Sequence, residues 1–294
     1  MYFLGIDGGG TKTECAIGDS SRILSRAIAG SCKLREVGPD AALAALTSGV
    51  QQCLAAADIS GDQITASCAG IAGASHPDSV EWTQHILQEL VAGTVQVVGD
   101  HIVAHAAAFA DGPGILVISG TGSIAYGRNA RGITARAGGH GPATSDEGSA
   151  RWIVRRAVTA ALAANDAPLL ATLAAAAHLG SAAQLGTALS SINFDLAPLF
   201  PSILAATGRG DPHAIAALNA AGQELAALTA NLIDELQMNS TASTICISGS
   251  VLQKSTLVQD ALRSALQSRA PSARLDTRII DPLSGALYLA QQST

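Results

Sequence analysis

A glycine-rich turn that joins one strand to another occurs twice in this sequence, and it restricts the possible folds more than any other feature. The first copy begins with the apolar run Tyr2–Ile6, which leads into the turn Asp7–Thr13. Residues 14–17 and 23–29 then have the composition of extended strands, with a polar turn between them. Because strands flank the glycines on both sides, the segment predicts a β-hairpin rather than a loop that opens a helix.

The second copy has the same layout in residues 114–137. Ile115–Ser119 is strand-like, Gly120–Ser123 forms the turn, and residues 124–128 and 133–137 are again extended. The repeat predicts two related halves, each with a sheet that contains antiparallel hairpins.

Both turns have the composition of phosphate-binding loops, although neither matches the GxxxxGK[ST] or GxGxxG patterns that precede a helix. Glycines let backbone N–H groups approach a phosphate closely, and threonine and lysine add a hydroxyl and a cation. An exposed polar hairpin is the alternative, above all for Lys12, whose side chain can point outward. The candidate phosphate-binding residues are Gly9, Gly10, Thr11, Lys12, Gly120, Thr121 and Gly122.

Strands and helices alternate along the rest of the chain, which indicates an α/β protein with mixed sheets. The predicted helices are 41–57, 79–90, 101–110, 147–164, several Ala-rich helices within 168–238, 259–267 and 284–291, and the further strands are 64–69, 95–98, 243–247 and 278–280. The segment 111–114 is a plausible hinge. We expect a first lobe of residues 1–111 with 284–294, and a second lobe of residues 112–283.

Composition excludes several function classes. With 17 basic and 23 acidic residues the net charge is −6, and no basic run is present, so we expect no nucleic-acid and no anionic-membrane partner. Met1 leads directly into an apolar stretch without a basic region, so no secretory signal is expected. The uncharged segment 168–192 is rich in alanine and polar residues, and it predicts a pair of packed helices rather than a membrane span.

The five cysteines indicate reduced thiols in a cytoplasmic protein. Their number is odd, and they form no CxxC-type pair, so neither a disulfide framework nor a zinc site is expected.

His101 and His105 are four residues apart on a predicted helix, a spacing that can bind a metal. No third ligand accompanies them, and a structural role is the better interpretation.

Two acidic residues follow predicted strands. Asp7 directly precedes the first glycine turn, where a carboxylate can hold Mg²⁺ through water beside phosphates; the alternative is a turn-capping aspartate. Asp100 follows the strand 95–98 and precedes a helix. Its carboxylate can act as the base that phosphoryl transfer to a hydroxyl requires, or it can cap the helix that begins at His101.

The loop that ends the second motif is a candidate ligand site. Gly139, His140 and Gly141 permit close approach of a small molecule, and Asp146 can accept hydrogen bonds from sugar hydroxyls. The alternative is that Ser145 or Asp146 caps the following helix.

Taken together, these motifs resemble the N-acetylglucosamine and glucosamine kinase branch of the BadF/BadG/BcrA/BcrD-type ATPases, within the sugar kinase, Hsp70 and actin superfamily. The matching segments, in the order of that family, are GIDGGGTKTE (5–14), VVGD (97–100), VISGTGS (117–123), GGHG (138–141), SDEGSARWI (145–153), GDP (210–212) and ISGSV (247–251).

This resemblance implies two ribonuclease-H-like domains with mixed sheets flanked by helices and a cleft between them that closes on ATP, Mg²⁺ and a sugar. It implies that Thr11 and Thr121 contact ATP phosphates, that Asp100 is the base, and that the loop of Gly139, His140, Gly141 and Asp146 lines the sugar pocket. Ala197 and Gly249 are implied near adenine. A homodimer is the assembly to test.

The chain departs from the family at the sugar side. Amino-sugar kinases place an asparagine where this chain has Lys33, and a tryptophan where it has His140. Lys33 and Arg35 add positive charge, so an anionic sugar with a carboxylate group becomes a candidate substrate.

Two other functions remain open on the sequence alone. The same family includes activators of benzoyl-CoA-type reductases, which couple ATP hydrolysis to electron transfer through an iron–sulfur cluster on cysteines; the wide cysteine spacing here argues against that function. A sugar sensor without catalysis is the third candidate, and the acids at positions 7, 100 and 146 argue against it.

Overall fold

Each half of the chain forms a five-stranded sheet around a central strand that runs antiparallel to one neighbour and parallel to the other. The computed structural model describes residues 1–141, 144–191, 194–239 and 243–294. The strands are β1 (Tyr2–Gly8), β2 (Thr13–Gly18), β3 (Ile23–Ala29), β4 (Ile64–Ile71), β5 (Thr94–Gly99), β6 (Gly114–Ser119), β7 (Ser123–Arg128), β8 (Thr134–Gly138), β9 (Thr244–Ser248) and β10 (Arg274–Asp276).

The two sheets have the same topology. The first has the order β3-β2-β1-β4-β5 and the second the order β8-β7-β6-β9-β10. In each sheet the central strand, β1 or β6, pairs antiparallel with the strand after the glycine turn and parallel with a strand that follows a helix. The prediction of two related α/β halves with mixed sheets is therefore confirmed.

Helices flank both sheets. They are α1 (Leu34–Val37), α2 (Pro39–Ala57), α3 (Pro77–Leu90), α4 (Asp100–Phe109), α5 (Ala150–Ala164), α6 (Ala167–Ala176), α7 (Ala182–Leu189), α8 (Phe200–Gly208), α9 (Pro212–Glu235), α10 (Ser250–Lys254), α11 (Thr256–Arg269) and α12 (Pro282–Gln292), with short 3-10 helices at Gly61–Gln63 and Ala197–Leu199. Helices α6 and α7 form the expected pair within 168–192, of which residue 192 lies outside the described residues. In the described part of the chain, no helix has both the length and the apolar composition needed to cross a membrane.

Small residues let helices pack closely in both units, as the Ala-rich composition predicts. In the first unit a Cβ on Gly285 of α12 would lie 2.0 Å from the carbonyl oxygen of Val103 in α4. In the second unit a Cβ on Gly222 of α9 would lie 2.6 Å from the carbonyl oxygen of Val258 in α11. Neither pair of helices could keep its present spacing with a larger side chain at the glycine.

The chain divides into a unit of Met1–Gly112 with Ile280–Thr294 and a unit of Pro113–Ile279. The second boundary lies four residues before the predicted one, at 279/280 rather than 283/284. Two contacts assign the intervening residues to the first unit: Asp281 forms an ion pair with Arg26 and caps α12, and Leu283 is buried in the core of that unit.

Two predicted elements were misplaced. The helix predicted from Glu147 begins at Ala150, because the backbone of residues 147 and 148 accepts hydrogen bonds from the serines of the second glycine turn. The strand predicted at 278–280 lies instead at β10, where it pairs parallel with β9. Asp276 then accepts the amide of Arg278, a local turn that ends the strand, and Ile279 is left exposed.

Candidate active site

The first glycine turn is a tight hairpin between β1 and β2. The Gly9 amide donates to the Lys12 carbonyl at 2.9 Å, and the Ser31 hydroxyl donates to the Gly9 carbonyl at 3.1 Å. Gly10, Thr11 and Lys12 are exposed at its tip. The tip therefore presents backbone amides and a hydroxyl to solvent, as a phosphate-binding turn requires. The ammonium of Lys12, however, forms an ion pair with Glu14, so its charge is already partnered.

Asp7 lies at the end of β1, beside this turn, in an environment that disfavours its negative charge. Burial, together with the carboxylates of Asp100 and Glu14, raises the pKa of Asp7 to about 7, and Lys12 only partly opposes this. A carboxylate that other carboxylates surround is well suited to a cation. The structure therefore places Asp7 among acidic groups at the end of β1, and its role as a magnesium ligand stays a prediction.

Asp100 is the first residue of α4, directly after β5. Gly99, not Asp100, is the N-cap of this helix, and the Asp100 carboxylate instead accepts the amide of its neighbour His101 at 2.9 Å. About 43% of its side chain is exposed, and the His101 ring lies 3.6 Å from it. The helix-capping alternative is therefore wrong, and the carboxylate faces solvent next to Asp7.

His105 packs against Phe109 at 4.9 Å between rings, which is a structural role.

Lys33 borders the first turn, and Lys33 and Arg35 each have an acidic partner. A Cβ on Gly10 would lie 4.0 Å from the Lys33 side chain, so Lys33 borders the tip of the turn. Its ammonium is 2.9 Å from Glu36, and the guanidinium of Arg35 is 2.7 Å from Asp78. These ion pairs reduce the positive charge that the sequence indicated on this side.

The second glycine turn, between β6 and β7, is bound to the loop that precedes α5. The Ser119 hydroxyl donates to the Gly148 carbonyl and the Ser123 hydroxyl to the Glu147 carbonyl, both at 2.7 Å. The amide of Ala150 donates to the carbonyl of Gly120 at 2.9 Å. Thr121 remains exposed at the tip of the turn. Ser119 and Ser123 thus hold the second turn against the loop before α5. In the sequence, the only indication of this role was that both serines belong to the VISGTGS motif.

Asp146 is buried against this second turn. Its carboxylate accepts the Ser123 amide at 3.3 Å, and a Cβ on Gly122 would lie 3.0 Å from the same oxygen. The cap of α5 is Ser149, whose hydroxyl accepts the Trp152 amide, so neither Ser145 nor Asp146 caps the helix. The structure thereby brings a carboxylate next to a candidate phosphate-binding turn within one unit.

The glycines before Asp146 form a sharply folded loop. Gly139 and Gly141 have φ angles of 71° and 92°, which side chains rarely allow. The backbone of Gly139 packs on Ile124 of β7, whereas Gly139 and His140 are both exposed. The loop therefore presents backbone and the His140 ring to solvent close to Asp146 along the chain.

The two residues implied near adenine occupy different surroundings. Gly249 is the N-cap of α10, with a φ of 91°, and a Cβ there would lie 2.3 Å from the Ser119 carbonyl, so it touches the base of the second turn. The amide of Ala197 donates to Asp195, which forms an ion pair with Arg151 of α5 at 3.1 Å.

The cysteines offer no surface site. All five are buried, and among the described residues no group of three or more histidine, cysteine or acidic side chains could hold a metal. This arrangement gives no support to an iron–sulfur activator.

We expect the folded protein to resist thiol reagents. Burial raises the pKa of Cys68 to about 12 and also raises the pKa of Cys32 and Cys53, so these thiols stay protonated at neutral pH. Reaction with a chromogenic disulfide should be slow in buffer and should reach all five thiols in denaturant. Rapid reaction of two or more thiols in the native protein would contradict this arrangement.

The fold and the two glycine turns define a two-domain ATPase of the actin-like class. The chain belongs to the BadF/BadG/BcrA/BcrD ATPase family, whose model matches residues 4–290. It is 28% identical over 301 residues to the N-acetylmuramic acid/N-acetylglucosamine kinase of Clostridium acetobutylicum, an alignment that covers 99% of this chain and 98% of that protein.

Solved structures show the same architecture. A protein of Chromobacterium violaceum, provisionally assigned as an N-acetylglucosamine kinase, superposes with a TM-score of 0.73 and 25% identity over 99% of both chains. The ROK family glucokinase of Streptomyces griseus, solved with glucose and AMPPNP, gives a TM-score of 0.63 and 19% identity over 99% of this chain and 100% of the other. The chain is therefore an enzyme with the fold of these kinases.

Proposed function

We propose that this protein is a kinase that transfers the γ-phosphoryl group of ATP to a hydroxyl of an amino sugar, such as N-acetylglucosamine, glucosamine or a related N-acetylated sugar. The observation that carries the proposal is the exposed carboxylate of Asp100, which follows β5 and lies near Asp7 and the first glycine turn. The end-to-end similarity to the clostridial kinase supports the same substrate class.

In the proposed reaction, Asp100 orients the sugar hydroxyl and accepts its proton. The hydroxyl oxygen forms a bond to the γ-phosphorus while the bond from that phosphorus to the β–γ bridging oxygen breaks, and ADP leaves. The exposed amides and threonine hydroxyls of each glycine turn, Thr11 in one unit and Thr121 in the other, would donate to phosphate oxygens and stabilise the charge of the transferring group.

Mg²⁺ fits the residues of the first unit. Magnesium in such enzymes is held by one or two carboxylates together with waters and substrate phosphates, so a cage of protein ligands is not needed. Asp7, with its neighbouring carboxylates, would hold the ion through water. When bound, Mg²⁺ would supply positive charge to the phosphates.

Sugar recognition is proposed for the loop before α5. The buried carboxylate of Asp146, which accepts the Ser123 amide beside the second glycine turn, would bind a sugar hydroxyl. The folded glycine loop of Gly139, His140 and Gly141 would supply backbone groups, and the His140 side chain would border the sugar.

A screen for sugar-dependent ADP release tests the proposal. We expect ADP release with at least one of glucosamine, N-acetylglucosamine, N-acetylmuramic acid, glucose and mannosamine, and very little without sugar. Release of ADP in the absence of any sugar, by a protein with iron–sulfur absorption, would favour the reductase activator instead. Sugar binding with no ADP formed would favour a sensor, and either result would overturn the kinase proposal.

A further inference from the structure

The first glycine turn rests on the segment that follows β3. Cross-strand pairing places Thr13, directly after the tip of the turn, opposite Ala29, the last residue of β3. The chain then continues alongside the turn, and a Cβ on Gly8 would lie 2.5 Å from Sγ of Cys32. Because Cys32 is 3% exposed and belongs to the core of the first unit, it anchors this segment. Ser31, the residue before it, is therefore held beside the turn.

The hydroxyl of Ser31 has a defined direction. Its oxygen accepts the amide of Lys33 at 3.2 Å, and its hydrogen is donated to the carbonyl of Gly9 at 3.1 Å. A hydroxyl has one hydrogen to donate, and here the carbonyl receives it. Ser31 and Gly9 are both half-buried, where water competes less for this carbonyl than it would at the exposed tip. The bond therefore holds the Gly9 carbonyl toward the segment after β3.

This bond also sets the direction of the next amide. The Gly9 carbonyl and the Gly10 N–H belong to one planar trans peptide unit, in which the two groups point in opposite directions. Because the carbonyl is turned toward Ser31, the N–H of Gly10 points away from Ser31, at the exposed tip of the turn. A phosphate group that binds there needs an N–H in this direction rather than a carbonyl oxygen, which would repel it.

The two glycines themselves do not fix this orientation. A peptide unit between glycines lacks the steric preferences that a Cβ on either side imposes, so it can reverse at low energetic cost. Backbone hydrogen bonds fasten the preceding unit at both ends. The Gly8 carbonyl accepts the Ala72 amide at 2.7 Å, and the Gly9 amide donates to the Lys12 carbonyl at 2.9 Å. For the Gly9 carbonyl, the partner recorded among the described residues is the Ser31 hydroxyl.

We propose that Ser31 is a positioning residue for nucleotide binding, whose hydroxyl holds the peptide between Gly9 and Gly10 so that the Gly10 N–H donates to a phosphate oxygen of ATP. This inference rests on the proposed kinase function, in which the first turn binds phosphates. Ser31 acts through the turn and does not itself contact the nucleotide. Without the hydroxyl, the peptide reverses in a fraction of the molecules, and the apparent Kd for ATP rises as the competent fraction falls.

Calorimetric titration of Ser31→Ala with ATP tests this role. We expect the Kd for ATP to rise about 2- to 10-fold, up to the usual net value of one hydrogen bond between neutral groups. The Kd for adenosine, which has no phosphate groups, should stay unchanged. Ser31→Thr keeps the hydroxyl and should restore most of the affinity for ATP.

Ser21→Ala is the matched control. The Ser21 hydroxyl also donates a hydrogen bond, to the carboxylate of Asp19 at 2.6 Å, but it lies between β2 and β3, at the opposite end of β2 from the glycine turn. Its removal should leave the Kd for ATP unchanged, and thermal unfolding shows whether each variant is folded at the titration temperature. An unaltered Kd for ATP in Ser31→Ala, or an equal rise for ATP and adenosine, would overturn the inference.

The screen for sugar-dependent ADP release separates this inference from the kinase proposal. ADP release by the unmodified protein, together with an unaltered Kd for ATP in Ser31→Ala, would refute the role of Ser31 and leave the kinase function intact. If no sugar is phosphorylated, the kinase function fails. A loss of affinity in Ser31→Ala that is confined to ATP and absent for adenosine would then still support the positioning role.

Discussion

Asp100→Asn is expected to lower kcat for sugar phosphorylation by about 10²- to 10⁴-fold, the contribution of a positioned general base. An amide of the same size cannot accept the proton of the sugar hydroxyl. The affinity for nucleotide should change little, because the proposed phosphate contacts come from the glycine turns. Steady-state kinetics and nucleotide titration measure the two quantities separately.

Loss of folding cannot account for such a result. The Asp100 carboxylate contributes to the raised pKa of Asp7, so its neutralisation relieves a repulsion, which offsets the loss of a negative charge at the start of α4. The unfolding temperature should therefore stay nearly unchanged. Asp40→Asn removes an exposed carboxylate of the same unit, from the first turn of α2, and is the matched control with nearly unchanged kcat. A kcat for Asp100→Asn within about threefold of the unmodified value would rule out the base assignment.

Gly249→Ala is expected to destabilise the protein by at least about 2 kcal/mol, because it combines backbone strain with overpacking. Gly249 has a φ of 91° and a ψ of 155°, a conformation nearly confined to glycine. A methyl group there would lie 2.3 Å from the Ser119 carbonyl and 3.0 Å from the Gly120 amide. The backbone of the second turn must therefore shift, and affinity for ATP should fall with stability.

Denaturant unfolding and nucleotide binding together measure this effect. Gly208→Ala is the matched control in the same unit: it lies at the exposed end of α8 with no atom within 4 Å of the added methyl group. Its stability should stay level or rise, by up to about 1 kcal/mol. If Gly249→Ala were as stable as Gly208→Ala, the close contact between α10 and the second turn would have no energetic importance.

The two hairpins and their sheets could be predicted from the sequence because their signals are local. Glycines between apolar alternating segments specify a turn and the strands on either side, and the repeat of that pattern in 114–137 indicated a second half of the same topology. The position of Asp7 beside the first turn and of Asp100 after β5 followed from the same local order. The misplaced strand at 278–280 shows the limit, because pairing with β9, not composition, selected β10.

Only the tertiary structure decided which side chains are partners. Lys33, Arg35 and Arg151 each form an ion pair, and their partners Glu36, Asp78 and Asp195 could not be identified from the sequence. The hydrogen bonds from Ser119 and Ser123 to residues 147 and 148 join segments more than twenty positions apart. Local composition determines turns and strands, but the free energy of a charge depends on the groups that surround it in space, and folding alone brings those together.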